Sequence, residues 1–186
     1  MSVDWTNELA EQLDWHWQHQ LRPRLNGLTD DEYRWEPVIG MWSVRPRENA
    51  TAPVALGSGE FVLDYARPEP DPPPVTTIAW RLSHLTIGVF GMRAASHFGG
   101  EPVDYDTYDY PGDAATALAR LDAAYAAWIA GVRGLSRHAL GRPCGPAEGP
   151  YAQAPMASLV LHVNREAIHH GAEIATLRDL YQWQNG

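Results

Sequence analysis

Leu161-His162-Val163-Asn164-Arg165-Glu166-Ala167-Ile168-His169-His170, continuing through Gly171-Ala172-Glu173-Ile174-Ala175-Thr176-Leu177-Arg178-Asp179-Leu180, places three metal-capable side chains four residues apart: His162, Glu166 and His170. Residues four apart are neighbours on one helical face, with Cβ atoms roughly 5–6 Å apart. Read as a helix, the stretch projects imidazole, carboxylate and imidazole from one ridge; a surface helix with a wet polar side is the alternative. Over eight residues the ridge covers about 12 Å of axis, too far for all three groups to converge on one ion.

Outward from this stretch the chain reads as further helices. The helix itself is expected from near Pro155 to about Trp183, after a Gly/Pro-rich loop at 141–150. A preceding helix starts at its cap Asp113 and reaches about Leu135, with Leu118, Leu121, Tyr125, Trp128 (or Ile129) and Val132 as its core stripe. Before that, Thr76 or Thr77 caps a helix that runs to about Phe98, where Gly99-Gly100 ends it. Its buried face is Ile78, Leu82, Leu85, Val89 and Met92, and His84 lies beside Leu85. The first helix spans 4–26 on Leu9, Leu13, Trp17, Leu21 and Leu25, with a kink or terminal turn expected at Pro23 and with His16 and His19 flanking the stripe. Thr29-Asp30-Asp31-Glu32 has capping-box spacing, with Leu28 as a staple, and predicts a short helix from Asp30 to Trp35. Residues 45–75 are the least regular: Glu60 to Tyr65 is strand-like, and Pro68, Pro70, Pro72, Pro73 and Pro74 make the next stretch a stiff, extended connector. A connection of this length exceeds the roughly 12–15 residues of an ordinary loop and reads as a functional crossover or lid. Four long helices so joined describe an all-α four-helix bundle, one domain over residues 1–186, with the long crossover between helices 1 and 2.

Composition narrows the chemistry. A net charge of −9 argues against a nucleic-acid partner. All 14 basic residues are arginine, so Schiff-base chemistry and a P-loop lysine are excluded. The single cysteine, Cys144, rules out an internal disulfide and any multi-Cys zinc site. No run is apolar enough to cross a bilayer and no leader is legible at Met1-Ser2-Val3-Asp4-Trp5, so a cytoplasmic protein without a membrane partner is expected. The His-Glu-x-x-His, Gly-x-Ser-x-Gly and Gly-x-Gly-x-x-Gly patterns are all missing. Glu166-Ala167-Ile168-His169 is a Glu-x-x-His pair, but a dinuclear carboxylate site requires a second pair and two further glutamates. The acidic loop at 101–112 lacks the Gly and Glu of a calcium-binding EF-hand. What remains is a mononuclear site with three protein ligands, drawn from His162, Glu166, His170 and His84, the number that suits zinc with a fourth position open.

Trp80-Arg81-Leu82-Ser83-His84-Leu85, followed by Asn164-Arg165-Glu166-Ala167-Ile168-His169-His170-Gly171-Ala172-Glu173-Ile174, resembles the DinB-like superfamily, and the likeness extends over nearly the whole chain. The resemblance implies a four-helix bundle of DinB-like type. It also implies a divalent metal, zinc or nickel, held by one histidine of the second helix and two groups four apart on the fourth. Those positions are His84, Glu166 and His170 here. Glu166 departs from the three-histidine members, but the same His, Glu, His pattern is found in the mycothiol-dependent maleylpyruvate isomerases. The implied activity is transfer from a low-molecular-weight thiol cosubstrate, of the mycothiol or bacillithiol type, to a small-molecule electrophile. Isomerisation itself is not expected, because those isomerases carry a further domain. Arg81, His162 and Arg165 are candidates for substrate binding, and His169, rotated about 100° from His170, is expected off the site. Dimerisation through a bundle face is implied as well, and eight tryptophans leave room for such a surface. A metal-dependent hydrolase, with His162 or Glu173 as base, and a non-catalytic metal-binding or stress-response module stay open as alternatives.

Overall fold

The computed structural model describes residues 3–186, so the first two residues of the expected domain and leader reading lie outside the described residues. Helix α1 covers 5–24: Trp5–His16 continues through a π turn, Trp17–Leu21, into Arg22–Arg24. Pro23 has no N–H, and its ring crowds the carbonyl four residues back; the turn before it widens, with the Arg22 N–H bonded to the Trp17 carbonyl. The short helix α2 is Asp30–Tyr33, capped by the Thr29 hydroxyl, which accepts from the Glu32 N–H at 3.2 Å. Helix α3 covers 78–98 and also has a π turn, Leu85–Gly91, between Ile78–His84 and Met92–Phe98. Its cap is Thr77, and it ends at Gly99 with φ of 72°, the left-handed conformation glycine adopts freely. Helix α4, Ala114–Arg133, is capped by Asp113 at 2.7 Å from the Thr116 nitrogen. After α5, Arg137–Leu140, and a 3₁₀ turn, Pro146–Tyr151, the fourth long helix α6 is Met156–Asn185. Among the described residues no helix is long and apolar enough to cross a membrane.

The long helices α1, α3, α4 and α6 pack on one another around a single core that includes Leu13, Leu82, Leu121, Trp128 and Val163. The widened turn in α3 rotates the rest of that helix about its axis. Ile78, Leu82, Leu85 and Val89 are buried as the periodicity predicts, whereas Met92 is only partly buried and Ile87, Phe90 and Ala94 join the core.

An all-α description is incomplete. The crossover folds into an antiparallel sheet of β1 (Val44–Pro46), β2 (Val54–Leu56) and β3 (Phe61–Tyr65) in the order β1-β3-β2. Only β3 has a strand signal of useful length. β1 is three residues long and contains Pro46, tolerable because it is an edge strand. The sheet is pinned to the start of α3: the Thr77 N–H donates to the Trp42 carbonyl at 2.9 Å and the Thr77 hydroxyl to Ser43 Oγ at 3.0 Å. Buried Asp64 accepts from Arg45 Nε at 2.7 Å and from the Ser43 N–H at 3.0 Å. Its own carbonyl accepts from the Trp80 indole at 3.0 Å, which is how the crossover fixes a side chain on α3.

Candidate metal centre

Helix α3 supplies His84 and helix α6 supplies Glu166 and His170, and one ligand atom from each lies within 4.8 Å of the others. The imidazoles of His84 and His170 meet edge to face, with centroids 4.8 Å apart and an interplanar angle of 87°. His170 Nε2 stands 3.3 Å from Glu166 Oε2.

Each ring is held from behind. His170 Nδ1 is 2.6 Å from Glu173 Oε2, and the Arg81 guanidinium sits 3.2 Å from both that nitrogen and that oxygen. Because a carboxylate has only lone pairs to offer, the 2.6 Å contact places a proton on Nδ1, and the Arg81 guanidinium is then paired with the Glu173 carboxylate and does not donate to the ring. His170 then donates to Glu173 from Nδ1 and turns Nε2 toward Glu166, the nitrogen through which a histidine so held ligates an ion. His84 Nδ1 is 2.7 Å from the Tyr105 hydroxyl, and its ring stacks on Trp80 with centroids 5.5 Å apart. Burial pushes the His84 pKa down to about 3, and the charges of His170, Arg81, Arg93 and His162 act in the same direction. The ring is therefore neutral at pH 7, the form with a lone pair to give. Burial also raises the pKa of the Tyr105 hydroxyl, so it keeps its proton.

The local backbone explains this placement. The π turn of α3 begins at the residue after His84, and such turns occur frequently at functional sites. Within it, Gly88 leaves the space that Tyr105 fills; a Cβ there would collide with the Tyr105 hydroxyl. A cavity of about 270 Å³, bounded by Tyr65, Arg67, Trp80, His84 and Tyr105, opens onto the His84 ring.

The remaining candidates sit around this cluster. His162, one turn before Glu166, is half-buried with Nδ1 at 3.5 Å from Glu166 Oε1, and burial lowers its pKa. That nitrogen also accepts from Arg165 at 2.8 Å, while Arg165 itself is largely exposed and 3.8 Å from Glu166. Arg81 is committed to Glu173 and lies over the Trp80 ring at 5.5 Å, so it orients His170 from behind. His169 is exposed and points to Glu173 Oε1 at 3.5 Å. His169, His170 and Glu173 form a second group of clustered donors, but the Arg81 cation already occupies the Glu173 carboxylate. On α1, exposed His19 stacks on Trp15, and His16 packs against Gly171 with Nε2 buried and without a hydrogen-bond partner among the described residues. Sequence reasoning misses three contributors. Tyr105 comes from the acidic loop, 21 positions after His84, with no local signal. Trp80 is visible in the sequence only as part of a motif. Glu173, i+3 from His170, reads in sequence as a base and not as the group that orients that ring.

Two imidazoles and one carboxylate from two helices, with both rings fixed through Nδ1, fit a divalent ion with an open position. A family model described as the DinB superfamily matches residues 12–174, a span containing every residue of the cluster. No curated protein and no solved structure matches the chain. The chain belongs to the DinB superfamily, whose members generally bind metal.

Proposed function

We propose that this member of the DinB superfamily is a metal-dependent thiol S-transferase: a four-helix bundle of DinB-like type that holds zinc or nickel through His84, Glu166 and His170. The observation that carries the reading is the convergence of those three donors within 4.8 Å from two helices. When bound, the ion supplies a positive charge that lets a coordinated thiol ionise near neutral pH. His84 and His170 would hold the ion through ring nitrogens, Tyr105 and Glu173 fix their rings, and the Glu166 charge would offset part of the ion's. The cosubstrate is a low-molecular-weight thiol of mycothiol or bacillithiol type, held reduced in the cytoplasm. Its proton leaves to solvent; the sulfur then forms a C–S bond to the electrophilic carbon, and the leaving group departs with the electron pair of the broken bond. His162 and Arg165, beside Glu166, border the space where the substrate sits. The hydrolase alternative has lost one of its bases, because Glu173 is bonded to His170 and Arg81.

The test begins with protein purified without chelator, its metal quantified before and after exposure to zinc or nickel; about one ion per chain is expected. Incubation with 1-chloro-2,4-dinitrobenzene then gives conjugate and chloride only when mycothiol or bacillithiol is present. A protein that takes up neither metal refutes the site, and a phenol formed without any thiol moves the activity to hydrolysis.

A further inference from the structure

A second and larger cavity, of about 620 Å³, lies between α3, the segment around the Pro146–Tyr151 turn and the start of α6. Its lining includes Arg93, Glu148, Tyr151, Leu159, His162 and Arg165. The charges around it are unevenly matched. Glu148 is bonded to His97 at 2.8 Å, with both side chains almost wholly buried. Arg93 is left 3.8 Å from Glu148, and Arg165 is 3.8 Å from Glu166. Of the other arginines, Arg22, Arg45 and Arg178 meet carboxylates at 2.7, 2.7 and 2.6 Å, while Arg120 stands 3.7 Å from Asp109. Arg93 donates to the Gly88 carbonyl and Arg165 to His162 Nδ1 at 2.8 Å, but neither has a carboxylate nearer than 3.8 Å, and both line one cavity in a chain of net charge −9. Beside them the wall is apolar, with Leu159 buried and the Tyr151 ring 74% exposed at the rim.

We propose that this cavity binds a small organic monocarboxylate, its carboxylate taken by Arg93 and Arg165 and its apolar body by Leu159 and Tyr151. Guanidinium groups match a carboxylate geometrically, and charge-assisted bonds of this kind are the strong ones. The Glu148 carboxylate on the same wall repels a phosphate dianion and selects for the single charge. His162 joins the cavity to the donor cluster, since it lines the one and stands 3.5 Å from Glu166 of the other. As the place where the transferase holds its electrophile, the cavity rests on the function proposed above; as a carboxylate site it stands without it.

Benzoate is the probe, titrated calorimetrically into the full-length protein, metal-free and zinc-loaded. Saturable binding is expected in the metal-free protein, at least about tenfold tighter than for benzamide, and inorganic phosphate does not displace it. Arg165→Gln, at an exposed side chain, weakens benzoate about tenfold while the melting temperature is unchanged. Arg93→Gln does the same; if it fails to fold, Tyr151→Ala, which weakens benzoate and benzamide alike, serves with Arg165→Gln. Equal binding of benzoate and benzamide, displacement by phosphate, or no benzoate binding overturns the inference, even in a protein that holds its metal. Benzoate binding by a protein that takes up no metal leaves this site standing and refutes only the metal centre.

Discussion

Glu32, on the short helix α2, is almost fully buried and bonded through both oxygens to Arg178 of α6, at 2.6 and 3.0 Å. Glu166, three turns earlier on α6, has its ion-pair contacts at 3.3 Å to His170, 3.5 Å to His162 and 3.8 Å to Arg165. The first carboxylate is answered in full by one cation, which also donates to the carbonyls of Arg24 and Asn26. Around the second no contact is that short: its nearest partner nitrogen, His170 Nε2, stands 3.3 Å away, and no cation is bonded to both of its oxygens. Two carboxylates that meet helix α6 thus serve two ends. One pair closes the fold, and the other cluster is the one proposed to hold an ion.

The largest effect expected of any single change falls on the closed pair. Glu32→Ala leaves the Arg178 charge buried and unpaired, and should lower stability by about 3–5 kcal/mol in urea denaturation. The folded variant should bind metal as the parent does. A cost under about 1 kcal/mol would mean Arg178 escapes to water, and the contrast with Glu166 would break.

Glu166→Ala should show the reverse pattern. Metal-free stability stays within about 1 kcal/mol of the parent, because no short bond is lost. Metal affinity falls by more than about 100-fold, beyond what removal of an orienting neighbour costs. His169→Ala leaves affinity nearly as it was. Loss of metal in His169→Ala with retention in Glu166→Ala would place the ion among His169, His170 and Glu173.

The range of each interaction decides how much of this is legible in the sequence. Apolar periodicity, the caps Thr77 and Asp113, and the Gly99 stop are local, and they place the four long helices within a few residues. The sheet is not legible, because strands of three residues carry too little pattern and only β3 reaches five. The π turn of α1 has a cause legible in the sequence, Pro23, whereas that of α3 has none, since nothing local to it shows that Tyr105 will pack against Gly88. Glu166 and His170 are visible as an i, i+4 pair, but nothing local distinguishes His84 from an ordinary core histidine; the family resemblance supplies that residue. Arg81 shows the limit of proximity in sequence: beside the motif it reads as a substrate anchor, while its partners turn out to be Glu173 and His170.

Acid should sharpen the Glu166 side of the comparison. The folded His84 pKa is about 3, against roughly 6.5 in an unfolded chain. Between those values the unfolded chain binds a proton that the folded one refuses, so the contribution is complete above about pH 6.5 and is lost as pH falls toward 3. The slope approaches about 1.4 kcal/mol per pH unit. Metal-free parent should therefore lose more stability than His84→Asn between pH 7 and pH 5, the carboxylates common to both cancelling. Parallel losses would show that water reaches the ring.

The smallest of these effects concerns Glu173, which touches the ring of a proposed ligand and not the ion. Glutamine there can still accept from His170 Nδ1–H, but it has no charge to hold Arg81 or to raise the basicity of the ring. Glu173→Gln should weaken metal binding about tenfold, the lower end of the range for such partners. Arg81→Gln separates this role from simple ion pairing: it breaks the pair and leaves the 2.6 Å contact between Glu173 and His170 intact. Metal affinity should hold in Arg81→Gln and fall in Glu173→Gln. Equal losses in both would make the Arg81–Glu173 pair a second closed pair like that of Glu32, and only Glu166 would then differ from it.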